Sequence, residues 1–282
     1  RTWSGYKDAC DLLVKHFGKG RAVADLGPDD FARLRNALAA TRGPHWLGNT
    51  VQCARSVFKW AVEMELIDRA VRFGPDFKRP SKKTFRVHRA RQGAKLFAAD
   101  EIRRLIEAAG PQLRAMVLLG INCGFGNADC GNLPLSAVDL DAAMIDFSRP
   151  KTGIPRRCPL WPATVQAIRE ALAVRPAPKD ATAAGLVFIT RCGKSWADSQ
   201  ATISHATAKL VRAAGITGQK GLAFYTLRNV FRTVADEARD QPAADFIMGH
   251  ESPHMSTHYR ERISDERLRT VADHVRGWLF GR

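Results

Sequence analysis

One stretch divides this sequence. Lys78 to Lys95, KRPSKKTFRVHRARQGAK, is dense in lysine and arginine and holds no acidic residue. Apolar residues at helical spacing run on both sides of it, so the chain is expected to build one core before it and another after it. The division read from this is a helical domain over 1–77, a basic linker over 78–95 and a second domain over 96–282. The bland reading of the strap is a solvated linker. In a chain with 44 Lys and Arg against 28 Asp and Glu, net +16, the favoured reading is a strap along a phosphate backbone. Its carriers would be Lys78, Arg79, Lys82, Lys83, Arg86, Arg89 and Arg91.

Before the strap the sequence reads as helices. SGYKDACDLLVKHF has apolar residues at helical spacing. GPDDFARLRNALAA opens with Pro28 and two acids, which suits a helix N-terminus. NTVQCARSVFKWAVEMELI is amphipathic, with Val51, Ala54, Val57, Phe58 and Ala61 on one stripe. After the strap come AADEIRRLIEAAG, with Asp100 as expected N-cap, and the apolar QLRAMVLLGINCG. AMIDFSRPKTGIPRRCPLW alternates apolar strands with a Pro-Lys-Thr-Gly turn, a hairpin or three-strand meander. LVFIT reads as a further short strand. Helices follow at TVQAIREALAV, SQATISHATAKLVRAAG, YTLRNVFRTVADEARD, after Gln241-Pro242, and over SDERLRTVADHVRGWLF. The expected class is mainly α with a small β-sheet.

Six cysteines at 10, 53, 123, 130, 158 and 192 form no CxxC pair and no zinc grouping, so they read as reduced, buried thiols of an intracellular protein, with no metal and no cofactor. No apolar run is long enough to span a bilayer. The N-terminus shows no secretory pattern, and with no initial Met the expectation is a processed or shortened chain.

Near the C-terminus MGHESPHMSTHY places Tyr259 nine residues after His250, in a chain with three tyrosines. Lys151 sits at the hairpin tip and Arg228 near a helix start. A phenol, an ammonium, a guanidinium and an imidazole suit metal-free attack on a phosphodiester. A phenol titrates near ~10 and needs a base or cations to become nucleophilic. A guanidinium stabilises charge on nonbridging oxygens, and an ammonium can protonate a leaving oxygen. Taken singly, each residue is better explained as a salt bridge, a packed ring or a turn lysine.

Together, YTLR (Tyr225 to Arg228), MGH and Tyr259 resemble the signature of the tyrosine recombinases, or phage-type integrases. That family carries His-x-x-Arg, then Leu-Gly-His, then the nucleophilic tyrosine at the same distance. The resemblance covers most of the chain. It implies a helical core-binding domain, an α+β catalytic domain and a site made of Tyr259, Arg228, His250, Lys151 and Tyr225. Asp129, in CGFGNADCGNL, falls on the acidic buttress. The resemblance further implies double-stranded DNA as partner, a homotetramer on two DNA sites, and a cytoplasmic, nucleoid-associated setting. Trp278 and Leu279 in the last helix either dock on a neighbouring subunit or pack on their own domain. His254 and His258 receive no role.

Two positions depart from the pattern. Tyr225 stands for the motif histidine, and its hydroxyl can still meet a phosphate. Gly126 stands where the family has its first catalytic arginine, a loss worth roughly 10²–10³ in rate by analogy with a missing oxyanion donor. Arg156, Arg157, Arg149 and Arg114 are the candidate substitutes. Strand alternation lets only one of Arg156 and Arg157 point inward. Two alternatives to a recombinase are a blunted, recombinase-derived DNA-binding protein and a type IB topoisomerase-like enzyme that cuts without exchange.

Overall fold

A computed structural model describes residues 2–197, 200–217, 221–250 and 262–281. The chain forms two compact units, divided between Ala94 and Lys95.

The first unit is helical: α1 (Thr2–Phe17), α2 (Pro28–Thr41), α3 (Pro44–Glu63) and α4 (Lys82–Gln92). Pro28 and Pro44 open their helices, where a missing N–H costs nothing. Phe31, Val51, Ala54 and Phe58 are buried together. Phe73 and Phe77, from the stretch after α3, complete the core, with the Phe31 and Phe73 rings 4.8 Å apart.

The basic strap differs from the linker expected of it. Ser81 caps α4 by accepting the Thr84 N–H at 3.1 Å. Phe85 then anchors the helix to α3, over Gly48 and 4.7 Å from the His45 ring. A Cβ at Gly48 would stand 3.3 Å from Phe85 Cζ, so the glycine lets the tip of the ring come close to the helix. The strap therefore belongs to the first unit. Its single large aromatic anchor leaves the cations in water.

The second unit runs α5 (Ala99–Ala108), α6 (Pro111–Asn122) and α7 (Asn127–Gly131), then β1 (Val138–Asp139), β2 (Met144–Asp146) and β3 (Arg157–Pro159). α8 (Pro162–Ala173), α9 (Ala181–Ala184), α10 (Gln200–Ala213), α11 (Phe224–Ala235), α12 (Gln241–Met248) and α13 (Asp265–Phe280) follow. The strands form one antiparallel sheet, β1-β2-β3, with Ile145 opposite both Val138 and Cys158. α6 is buried from Ala115 to Asn122, the mark of a central helix. It approaches α11 closely because Gly120 leaves room: a Cβ there would stand 2.9 Å from Leu227 Cδ1. Asn122 joins α6 to the sheet exit. Its amide donates to Pro159 O, and its oxygen accepts from Trp161 N–H and Thr164 O–H, all at 2.9 Å.

Several local expectations change. α5 is capped at Ala98, whose N–H is taken by Glu101 at 2.8 Å, and Asp100 lies inside the helix. Glu101 reaches back to the first free N–H, which the shorter Asp100 one position earlier does not. LVFIT is not a strand; only Leu186 and Ile189 form isolated bridges, to Pro134 and Ser195. Its apolar run is a buried crossing segment, which periodicity alone does not separate from a strand. Leu279 is fully buried and Trp278 packs half-buried against the core of its own unit, the second of the two readings given for them. Cys192 is exposed and Cys10 and Cys53 are half-buried; only Cys123, Cys130 and Cys158 are buried thiols.

Candidate active site

Three segments converge in the second unit. Gly124, with φ of +62°, reverses the chain after α6 and leads through Phe125 and Gly126 into α7. The start of α11 brings Tyr225 and Arg228. The end of α12, with Gly249 also left-handed at φ +62°, brings His250.

Arg228 is 1% exposed. Its guanidinium donates to Gly124 O, to Met248 O at 2.8 Å and to His250 Nε2 at 2.8 Å. One side chain thus ties together the carbonyls of two helix ends and an imidazole. Burial lowers its pKa most, followed by the neighbouring charge of Arg149. Guanidinium basicity is high enough that the cation persists.

His250 receives that bond at Nε2, so its proton sits on Nδ1, 3.6 Å from Asp245 Oδ1. Asp245 is itself held by Arg232 at 2.5 Å. Burial, then Arg228 and Arg149, hold the imidazole below its ordinary 6.5, so it is neutral at pH 7. Asp245 and Arg232 were not foreseen; nothing in their spacing separates them from ordinary surface helix residues.

Asp129 is 6% exposed and accepts the Gly126 N–H at 2.7 Å. Its other oxygen lies 3.1 Å from Arg156 Nη2. Arg156 is the inward member of its pair, 3% exposed, with its guanidinium 4.5 Å from the Phe125 ring centroid and its Nε–H on Phe147 O at 2.9 Å. The geometry to Asp129 suits an ion pair but not a hydrogen bond, and neither terminal nitrogen has a hydrogen-bond partner. Gly249 packs on this stem. A Cβ there would fall 2.7 Å from Arg156 Cδ and 3.0 Å from Arg149 Cβ, so the motif glycine makes space as well as supplying a left-handed turn.

Tyr225 is 52% exposed, with its ring beside Gly126. Arg149 is half-buried at the base of the hairpin turn and donates to Gly249 O at 3.3 Å. Lys151 is exposed at the turn itself. Two of the proposed substitutes point elsewhere. Arg157 pairs with Asp265 and Asp146, and Arg114 with Ile106 O and Glu170. Tyr259, His254 and His258 lie outside the described residues. In the first unit, Arg35, Arg42, Lys78, Arg79, Lys83 and Arg91 line an open cleft of about 840 Å³, a candidate surface for a polyanion. Among the described residues no cluster of acids, cysteines and histidines suits a metal. No described helix is long and apolar enough to cross a membrane.

The model of the phage integrase family matches residues 95–265, more than half of the chain. No curated protein sequence matches significantly. The structure is similar to that of a lambda integrase dimer bound to a COC′ core site, with a TM-score of 0.64 at 15% identity over 92% of this chain and 90% of that one. It is similar to the Tn1549 transposon integrase in complex with transposon right end DNA, with a TM-score of 0.66 at 14% identity over 98% and 93%. A lambda integrase tetramer bound to a Holliday junction gives a TM-score of 0.62 at 15% identity over 92% and 72%. At such identities the likeness carries the fold.

Proposed function

The chain belongs to the phage integrase family, and on that premise we propose that it is a site-specific DNA recombinase acting through a 3′-phosphotyrosyl intermediate. The observation that carries the reading is the bond from buried Arg228 to neutral His250, in a motif that sets Tyr259 nine residues on. Tyr259 Oη attacks the scissile phosphorus and loses its proton to solvent. The new Tyr O–P bond replaces the P–O5′ bond, and the Lys151 ammonium protonates the departing 5′ oxygen. Tyr225 holds the phosphate, joined by Arg228 and His250 once their mutual bond opens onto it, with Asp129 as buttress. A 5′-hydroxyl from a second strand reverses the step, so one phosphodiester is exchanged for another.

The partner is double-stranded DNA, gripped by the cleft and strap of the first unit and by the site of the second. The working assembly is a homotetramer on two DNA sites, in the cytoplasm at the nucleoid. Lambda integrase, whose structure is similar, is known as a dimer on a core site and as a tetramer on a Holliday junction.

Covalent trapping tests the reading. Nicked duplexes incubated without metal should give an SDS-resistant protein–DNA band with the wild type and none with Tyr259→Phe. Gly126 favours a second reading, a blunted DNA-binding protein. Tight binding with no band in either protein would decide for it.

A further inference from the structure

Arg228 provides charge, yet three of its N–H groups are already taken by two carbonyls and an imidazole, and it is 1% exposed. A phosphate gathering charge on two nonbridging oxygens needs a cation that can touch it. The arginines around the site differ sharply in what they have left to give. Arg157 is spent on Asp146 and Asp265, and Arg232 on Asp236 and Asp245. Arg156 is sealed under Phe125 and Phe147 against Asp129.

Arg149 is the exception. Its backbone is fixed at the base of the turn: its N–H donates to Ile154 O at 2.8 Å, and its carbonyl accepts from Thr152 and Gly153. Pro150 stiffens the next step. Its Cβ packs by Gly249, next to His250, and its side chain makes one long bond, 3.3 Å to Gly249 O. Among the described residues no carboxylate lies within ion-pairing distance of it. The side chain is half-buried, so it reaches solvent from the wall of the site. Its charge is felt by both Arg228 and His250.

We propose that Arg149 is a catalytic residue of the reaction proposed above, binding a nonbridging oxygen of the scissile phosphate beside His250. Arg156 completes the arrangement from below. It balances buried Asp129, whose other oxygen is satisfied by the Gly126 N–H. Position 126 therefore needs no cation for the acid's sake, and the contact with the substrate passes to the hairpin.

The test uses the full chain and a nicked duplex that the protein itself selects from a random-sequence pool. The scissile position, mapped with the wild type, carries either an ordinary phosphate or an uncharged methylphosphonate. Arg149→Ala should slow covalent-complex formation at saturating protein by about 10²–10³ on the phosphate, and Arg149→Lys, which keeps the charge, by less. On the methylphosphonate the deficit of Arg149→Ala should shrink to within about tenfold, because the charge that needs the cation is gone. A purely structural loss would persist on both substrates. Gly126→Arg is the return variant: a Cβ there makes ordinary contacts, with Asp129 Oδ2 at 3.4 Å and Tyr225 Cδ2 at 3.5 Å, and φ is negative. Added to Arg149→Ala, it should recover part of the rate. The proposal is overturned if Arg149→Ala cleaves within about threefold of the wild type, or if its deficit is equal on the two substrates. If the wild type forms no Tyr259-dependent link, the recombinase reading falls, and this inference with it.

Discussion

Arg86 on α4 and Arg228 on α11 carry the same guanidinium into opposite surroundings. Arg86 stands in solvent with Lys82, Lys83 and Arg89 along a helix that has no buried residue. Arg228 is caged by Gly124 O, Met248 O and His250. An exposed cation acts by counterion release, which is additive, salt-dependent and tolerant of position. A caged one acts through direction, and its removal orphans every group it holds. The exposed cations of the first unit can therefore be lost one at a time, while the second unit cannot lose Arg228 without losing the geometry of the site.

That contrast can be broken at several points. The largest effect is expected from Arg228→Ala, which should abolish trapped covalent product and cost about 3 kcal/mol, because two buried carbonyls lose their donor. Denaturant midpoints read beside the trapping assay would check it. Unchanged stability would mean the cage is dispensable. Gly249→Ala comes next. It forces a side chain into the left-handed region and into Arg156 Cδ at 2.7 Å, for about 2–4 kcal/mol, measurable as a lower melting temperature. Replacing Lys82, Lys83 and Arg86 together by glutamine should leave stability near wild type and reduce the salt slope of DNA binding by up to about 3. Titrations across ionic strength would show it, and a change in cleavage rate at saturating protein would blur the contrast.

Smaller effects sharpen it. Arg157→Ala breaks three part-exposed bonds, two to Asp265 and one to Asp146, and should cost under about 1 kcal/mol, with cleavage unaltered. The smallest concerns pH. Burial, then Arg228 and Arg149, hold the His250 imidazole below its ordinary 6.5. Just below that pH the unfolded chain binds a proton that the folded chain does not, so unfolding free energy falls as pH falls through 6.5. His250→Gln should flatten that part of the curve in pH-dependent denaturation.

The sequence spoke most clearly where spacing and chemistry coincide. Arg228 and His250 are named by their motif, and the structure brings them to 2.8 Å. Of the stripe read through Val51, Ala54, Val57, Phe58 and Ala61, Val51, Ala54 and Phe58 are buried and Val57 and Ala61 only half-buried. Alternation separated Arg156 from Arg157, but direction depends on what each face meets. The Phe125 ring and Asp129 wait on one side, and Asp265 from α13 on the other. Those partners come from remote parts of the chain, so no local pattern announces them. α4 was hidden for another reason: a helix packed through one phenylalanine has almost no hydrophobic period to detect, and only the Ser81 cap betrays it. The LVFIT segment failed in the converse way, since burial without a pairing partner imitates a strand.

Trp161, at the N-cap of α8, is 2% exposed, donates its indole N–H to Ala272 O at 2.9 Å and lies edge-on to Phe280. The tryptophans of the first unit are far wetter: Trp3 is 74% exposed, Trp46 38% and Trp60 53%. The unlabelled protein therefore carries its own two-colour reporter. Short-wavelength emission from Trp161 follows the seating of α13, while long-wavelength emission is weighted to the first unit once half-buried Trp196 and Trp278 of the second are replaced by phenylalanine. Recording both bands along one denaturation curve would tell whether the two units come apart as one transition or two.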